Sequence, residues 1–187
     1  MRAVGITLFN TVTSMSVTLH TSLGDLKIEV FCEAVPQASE NFLALCASGY
    51  YDGCKFHRNI KGFMTQTGDP TGSGKGGQSI YGEPYPDEIR STFKFNNRGL
   101  VAFANSGSDS NRSQFFITYA ATPHLNSKYT IFGRVIDGAE NGTLGAIERV
   151  PSGTQKEGFR PKHDILLKEI TIHSNPIASK IVRDNYV

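Results

Sequence analysis

Tryptophan is absent, and cysteine and methionine number three each. Cys32, Cys46 and Cys54 are odd in number and form no C-x-x-C, so neither a disulfide framework nor a four-ligand zinc site follows. Idle or buried thiols of this kind suit a reducing compartment. No apolar run is long enough to cross a bilayer, so no membrane partner is expected. A dominant charge is also missing: 19 Lys and Arg against 17 Asp and Glu leave a formal +2. That balance implies no nucleic-acid partner. His20, His57, His124, His163 and His173 are too dispersed to suggest a metal cluster, and no cofactor is expected. No serine sits in G-x-S-x-G, and no close carboxylate pair stands ready for glycosidase-type acid–base work.

The 187 residues suit one domain with a sizeable core. Met1 to Ser14 is too polar and short for a convincing signal peptide. It reads either as a disordered extension or as sequence ahead of a natural start at Met15. Residues 1–15 are therefore set apart as an extension, 16–174 as the domain and 175–187 as a tail. Val17 and Leu19, then Leu26, Ile28 and Val30, alternate with polar neighbours across the turn Ser22 to Asp25, the pattern of a β-hairpin. Pro36 suits a first helical turn, Ala38, Phe42, Leu45 and Cys46 recur at helical spacing, and Gly49 suits the stop. A helix over Pro36 to Ser48 is expected. Further strands are expected at Arg98–Asn105, Gln114–Tyr119, Tyr129–Ile136 and Ile165–His173, with a second short helix over Ala139–Val150. Many short strands, two helices and no alternating βα units favour a closed antiparallel barrel over a doubly wound sheet.

Phe56 to Asp69 is the stretch with chemistry in it. Two short runs flank the corner Asn59 to Gly62. Alternation sends Met64 and Gln66 to one face, and Phe63 to the other unless Gly62 relaxes the geometry. An apolar surface beside one guanidinium and one amide is the make-up of a pocket with a few placed polar groups. An amphipathic hairpin with Arg58 on a solvated rim is the plainer reading. Downstream, Gly72, Gly74 and Gly77 formally satisfy G-x-G-x-x-G, but no βαβ unit surrounds them and Lys75 is not followed by Ser or Thr. A flexible loop is expected there, not a phosphate cradle. Alternation places Gln114 and Phe116 on one face, Phe115 and Ile117 on the other.

Phe56-His57-Arg58, Gly62-Phe63-Met64-x-Gln66-x-Gly68-Asp69, Ala104-Asn105 and Ser113-Gln114-Phe115-Phe116 occur in that order. Together they resemble a cyclophilin, a peptidyl-prolyl cis–trans isomerase, over roughly Ser16 to Ser174. Ser16 to Thr21, Glu29 to Glu33 and Asn41 to Ser48 resemble a small subclass associated with the spliceosome.

The resemblance implies a mostly β fold, an eight-stranded closed antiparallel barrel capped by two α-helices, with the active groove on its outer surface. It implies catalytic roles for Arg58, Gln66 and Asn105. It implies substrate contacts at His57, Phe63, Met64, Gly74, Ala104, Ser106, Gln114, Phe116, His124, Leu125 and Tyr129. Substrates would be proline-containing peptides and proteins, with spliceosomal proteins as further partners. A monomer in the nucleus or cytoplasm is expected.

Three positions depart from the common family pattern. His124 stands where many members have Trp, Tyr129 where many have His, and Ser106 replaces a common Ala. Loss of the indole puts tight cyclosporin binding in doubt, so weak binding is expected. The same departures leave a second reading open, a weakly active proline-peptide-binding module in a splicing complex. Disulfide use by the three cysteines is a third reading that depends on their exposure.

Overall fold

The structure, a computed structural model, describes residues 15–140 and 142–173. The expected extension before residue 15 and the tail beyond 174 lie outside these residues. Among the described residues nine strands run β1 Met15–Thr21, β2 Gly24–Val30, β3 Cys54–Lys55, β4 Arg58–Ile60, β5 Met64–Thr67, β6 Leu100–Phe103, β7 Phe115–Thr118, β8 Ile131–Asp137 and β9 Leu166–Ile172. Two α-helices, α1 Pro36–Ala47 and α2 Thr143–Arg149, and two 3-10 turns, Pro123–Leu125 and Gln155–Glu157, complete the described elements. Met15 already pairs with Val30 and is buried, so the first strand starts one residue before the boundary read from sequence.

The strands form one antiparallel sheet in the order β3-β9-β1-β2-β8-β6-β7-β5-β4. The expected closed barrel of eight strands is therefore corrected to nine strands whose ladder stays open among the described residues. The reason lies in one run. Cys54 and Lys55 pair with Leu167 and Leu166 on β9, whereas Arg58, Asn59 and Ile60 pair with β5. Only Phe56 and His57 separate the two ends of the sheet, so the sheet must curl round on itself, but that single run serves two partners and is counted twice.

Alternation along the strands divides the apolar residues between two clusters. Phe115 and Ile117 on β7, with Val101 and Phe103 on β6, face the main core. Phe116, Ala102 and Met64 face the other way and form a second cluster with Phe95, Leu125 and Ile131. The expected alternation of Gln114 and Phe116 against Phe115 and Ile117 is what positions this outer cluster.

Helix α1 begins at Pro36, whose fixed φ and missing N–H suit a first turn. It buries Phe42 against Phe132 and Phe115, with ring centroids 4.7 and 5.5 Å apart. Truncating such a side chain costs about 3–5 kcal/mol. Its one buried amide, Asn41, ties down two distant loops: Nδ2 donates to the Arg112 carbonyl at 2.9 Å and Oδ1 accepts from Ile80 N at 3.0 Å. Helix α2 starts at Thr143, four residues later than Ala139, after a turn in which Leu144 N donates to the Gly138 carbonyl. Among the described residues no helix is long and apolar enough to cross a membrane, and no group of three or more His, Cys, Asp or Glu could hold a metal ion.

All three cysteines are unbridged. Burial raises each thiol, with Cys54 pushed up to about 12 by burial and then by Asp69 and Asp52. None is held as a thiolate, so the disulfide-exchange reading loses its nucleophile.

Candidate active site

The cross-strand register builds a row on the outer face. Arg58 on β4 lies opposite Gln66 on β5, Gln66 opposite Phe116 on β7, and Phe116 opposite Ala102 on β6. Directly opposed residues share a face, so a guanidinium, an amide and an aromatic ring stand side by side. The turn between β4 and β5 adds the next wall. Gly62 takes φ +75°, with no atom within 4 Å of the place a Cβ would take, so Phe63 leaves the strand alternation and lines the same cavity as Met64. The turn is pinned from behind: Glu148 accepts from Gly62 N at 3.0 Å and from Arg98 at 2.6 Å, and Tyr119 N donates to the Phe63 carbonyl at 2.9 Å.

These residues enclose a cavity of about 250 Å³. Phe63, Met64, Phe116, Leu125, Tyr129 and Ala104 supply its apolar lining, and Arg58, Gln66 and Asn105 its polar edge. The volume is below the range of about 300–1,000 Å³ usual for drug-sized ligands, a size for one side chain. Phe116 is held flat on Phe95 at 5.8 Å and 18°, and edge-on to Tyr129 at 5.4 Å and 87°. Arg58 is half-buried and makes no ion pair among the described residues.

The polar groups behind the cavity are linked in series. Gln66 Nε2 donates to Gln114 Oε1 at 2.8 Å, and Gln114 Nε2 donates to the Gly76 carbonyl at 2.7 Å. Gly76 N in turn donates to Asp69 Oδ2 at 3.1 Å. The Asp69 carboxylate is fully buried and also accepts from Thr71 N and Oγ1, Ser73 Oγ and Gly74 N. Burial opposes its charge, but the donors from Thr71, Gly76 and Gly74 outweigh it and hold the carboxyl at about 2. The glycine run expected as a flexible loop is thus wrapped round one anion. Asn105 spends its side chain on structure, with Nδ2 donating to the Lys128 carbonyl at 2.9 Å and to Asp87.

Other expected residues lie beside this cavity and not in it. Gly74, Ser106 and Gln114 line an adjoining groove of about 550 Å³, together with Lys75, Gly76, Pro84, Ser110 and Arg112. His57 lines a third cavity of about 360 Å³ on the far side of Arg58, with Gly74, Phe159 and Arg160. His57 is 6% exposed; burial lowers its pKa, Asp69 opposes this, and Arg160 adds to it. The neutral form of the ring is thereby favoured. His124 is exposed and stacks on Phe63 at 5.4 Å and 26°, outside the cavity lining.

Phe95, Asp69, Lys75, Arg112 and Arg160 are the residues that sequence reading missed. Only Asp69 left a signal: an Asp followed by Thr, Ser and Gly is the composition of a side-chain-capped turn.

A pocket for one apolar side chain, edged by an unpaired guanidinium, on a curled antiparallel sheet defines a cyclophilin. The family profile described as Cyclophilin type peptidyl-prolyl cis-trans isomerase/CLD matches residues 16–172, and the chain belongs to that family; it is a peptidyl-prolyl cis–trans isomerase. It is 63% identical over 172 residues to Peptidyl-prolyl cis-trans isomerase-like 3 of Rhizopus delemar, covering 89% of this chain and 99% of the relative. The Homo sapiens protein of the same name is 60% identical over 164 residues, covering 88% and 99%. A crystal structure of a Cryptosporidium parvum cyclophilin type peptidyl-prolyl cis-trans isomerase superposes with a TM-score of 0.82 at 50% identity, covering 87% of this chain and 99% of that one. A second structure of that protein, in the presence of the dipeptide Ala-Pro, gives 0.80 at 50% identity, covering 86% and 99%.

Proposed function

We propose that the isomerase turns X-Pro bonds in peptide segments seated across the Arg58 row, with the proline ring in the 250 Å³ cavity. The peptide bond resists rotation by ~18–20 kcal/mol because nitrogen shares its lone pair with the carbonyl. Before proline the two isomers differ by only about 1 kcal/mol, yet exchange takes tens of seconds or more. A catalyst therefore needs to stabilise the twisted state alone. There the prolyl nitrogen regains a localised lone pair and accepts a hydrogen bond. Arg58 donates to that nitrogen or holds the preceding carbonyl. Phe63, Met64, Phe116 and Leu125 hold the ring, while Gln66 and the Asn105 backbone hold the chain as the bond turns. No proton is transferred, so neutral, buried His57 lines the site without acting as a base.

The observation that carries this reading is the unpaired Arg58 opposite Gln66 at the cavity edge. Each tenfold acceleration requires ~1.4 kcal/mol, within reach of a preorganised charged donor in a partly dry pocket. The Ala-Pro dipeptide named for the Cryptosporidium parvum structure supports a proline ligand at this kind of site. We further propose clients within a splicing complex, reached by a monomer in the nucleus or cytoplasm; the 60% identity to isomerase-like 3 proteins supports placing it in that subclass. Exchange NMR on an X-Pro peptide tests the enzymatic reading. Wild type should speed exchange and Arg58→Ala should lose it. Equal binding by both, with no exchange in either, would establish the binding module that His124 and Tyr129 leave open.

A further inference from the structure

Three contiguous cavities meet at Gln66, which lines all of them. Their lining residues include Arg58, Lys75, Arg112 and Arg160 and not one Asp or Glu. In a chain with 19 basic and 17 acidic residues, that segregation is local and invisible in the net charge. Nor are these cations neutralised from outside the lining. Lys55, Arg98, Arg134 and His20 pair with carboxylates elsewhere on the molecule, while none of the four groove cations does so among the described residues.

Asp69, Asp87 and Glu157, which bond to or border lining residues, are each engaged by donors of the fold, whereas Glu83 and Asp109, next to the lining residues Pro84 and Ser110, are exposed. Asp69 is buried beneath five donors. Asp87 turns one oxygen to Asn111 and Asn105 and the other to Asp109 N. Glu157 folds back on Thr154 N and Oγ1.

The four cations are also spread in a useful way. Lys75 lines both flanking cavities, on the loop that Asp69 fixes through Gly74 N and Gly76 N. Arg160 spends two N–H groups on the Gly72 and Ser73 carbonyls at 2.8 and 2.6 Å, leaving the remainder of its five donors for a ligand. Arg112 lines the larger groove. His57 Nδ1, buried without a hydrogen-bond partner, sits in the ring that forms the wall beside Arg160.

We propose that this isomerase selects X-Pro bonds flanked by anionic side chains, with Lys75, Arg112 and Arg160 taking carboxylates or phosphates on residues either side of the proline. This selection rests on the proposed seating of proline beside Arg58. Lys75, Arg112 and Arg160 are exposed, so each ion pair is individually weak and the expected preference is roughly three- to tenfold. Such pairs weaken with salt, since the screening length shrinks to about 8 Å near physiological ionic strength.

The test is exchange NMR with the intact chain on four peptides of one backbone, whose flanks carry Ala, Glu, phosphoserine or Lys. Glu and phosphoserine peptides should be turned over faster than the Ala peptide, and the Lys peptide slower, with the spread shrinking as salt rises. The Glu and phosphoserine arms identify which anion fits better. Lys75→Glu/Arg160→Glu should invert the Glu-to-Lys ratio; Lys75→Gln alone should flatten it if the double variant fails to fold. Equal acceleration of all four peptides overturns the selection and leaves the isomerase reading standing. Failure to accelerate the Ala peptide instead strikes the isomerase reading itself. Displacement of the Glu peptide by a single-stranded RNA, with no Glu-over-Ala preference in exchange, would overturn the peptide assignment in favour of a nucleic-acid surface.

Discussion

Arg58 and Gln66 are direct cross-strand partners at the end of the sheet, and neither is used to hold the other: Gln66 donates instead to Gln114. Arg58 is thereby left beside a fixed amide in the lining of an apolar cavity. That division of labour gives Gln114 a positioning role, since it accepts from Gln66 and donates to Gly76. Gln114→Ala should raise KM more than it lowers kcat, by roughly tenfold in kcat/KM, because a half-satisfied polar network loses its fixed geometry. Steady-state assay of a proline peptide checks the split; a pure kcat loss would place Gln114 in the chemistry itself.

Asp69 makes the groove wall sensitive to acid. Its carboxyl is depressed from 3.8 to about 2 in the fold, so the unfolded chain binds more protons between those values. The stabilisation is therefore complete above pH ~4 and lost as pH falls through about 2. Hydrogen exchange at Gly74 and Gly76 should rise in that window. Asp69→Asn should remove the pH dependence and lower stability by roughly 1–3 kcal/mol, read by urea unfolding.

Gly68 leaves no room for a side chain. Its φ is +90°, and a Cβ would lie 2.6 Å from the Ser113 carbonyl oxygen and 3.0 Å from Gln114 Cα, both backbone atoms. Gly68→Ala should destabilise by roughly 2 kcal/mol or more and disturb the Gln114 wall, seen as a lower urea midpoint. An unchanged midpoint would show that β5 and β7 can separate there without cost.

Some of this was readable in the amino acids and some was not, for physical reasons. Alternation in β7 and helical spacing in α1 are local signals, so Phe116, Gln114 and the Pro36–Ala47 helix could be found without coordinates. Arg58, Phe63, Met64 and Gln66 were found through motif order. Phe95 supports Phe116 from a loop that has no periodicity, and nothing local marks it. Arg58–Ile60 pairs locally with β5, but Cys54 and Lys55 pair with β9 residues more than a hundred positions away, which no local signal marks. The basic groove draws Arg58, Lys75, Arg112 and Arg160 from separated segments, so the net charge of +2 concealed it.

His124 bears on inhibitor binding. Exposed on its 3-10 turn, it stacks on Phe63, at the position where the sequence resemblance implies tryptophan in many relatives. Cyclosporin should inhibit weakly, and His124→Trp should strengthen inhibition roughly tenfold through added aromatic contact. Nanomolar inhibition of the unaltered protein would contradict this.

Everything turns on one guanidinium stabilising the twisted X-Pro bond. Exchange NMR on a neutral Ala-Pro peptide with wild type, Arg58→Lys and Arg58→Ala tests it most directly. Arg58→Ala should lose roughly 10²–10³-fold in catalysed exchange while peptide binding persists, with Arg58→Lys also impaired because a point charge lacks the planar fork. Undiminished exchange in a folded Arg58→Ala would contradict it.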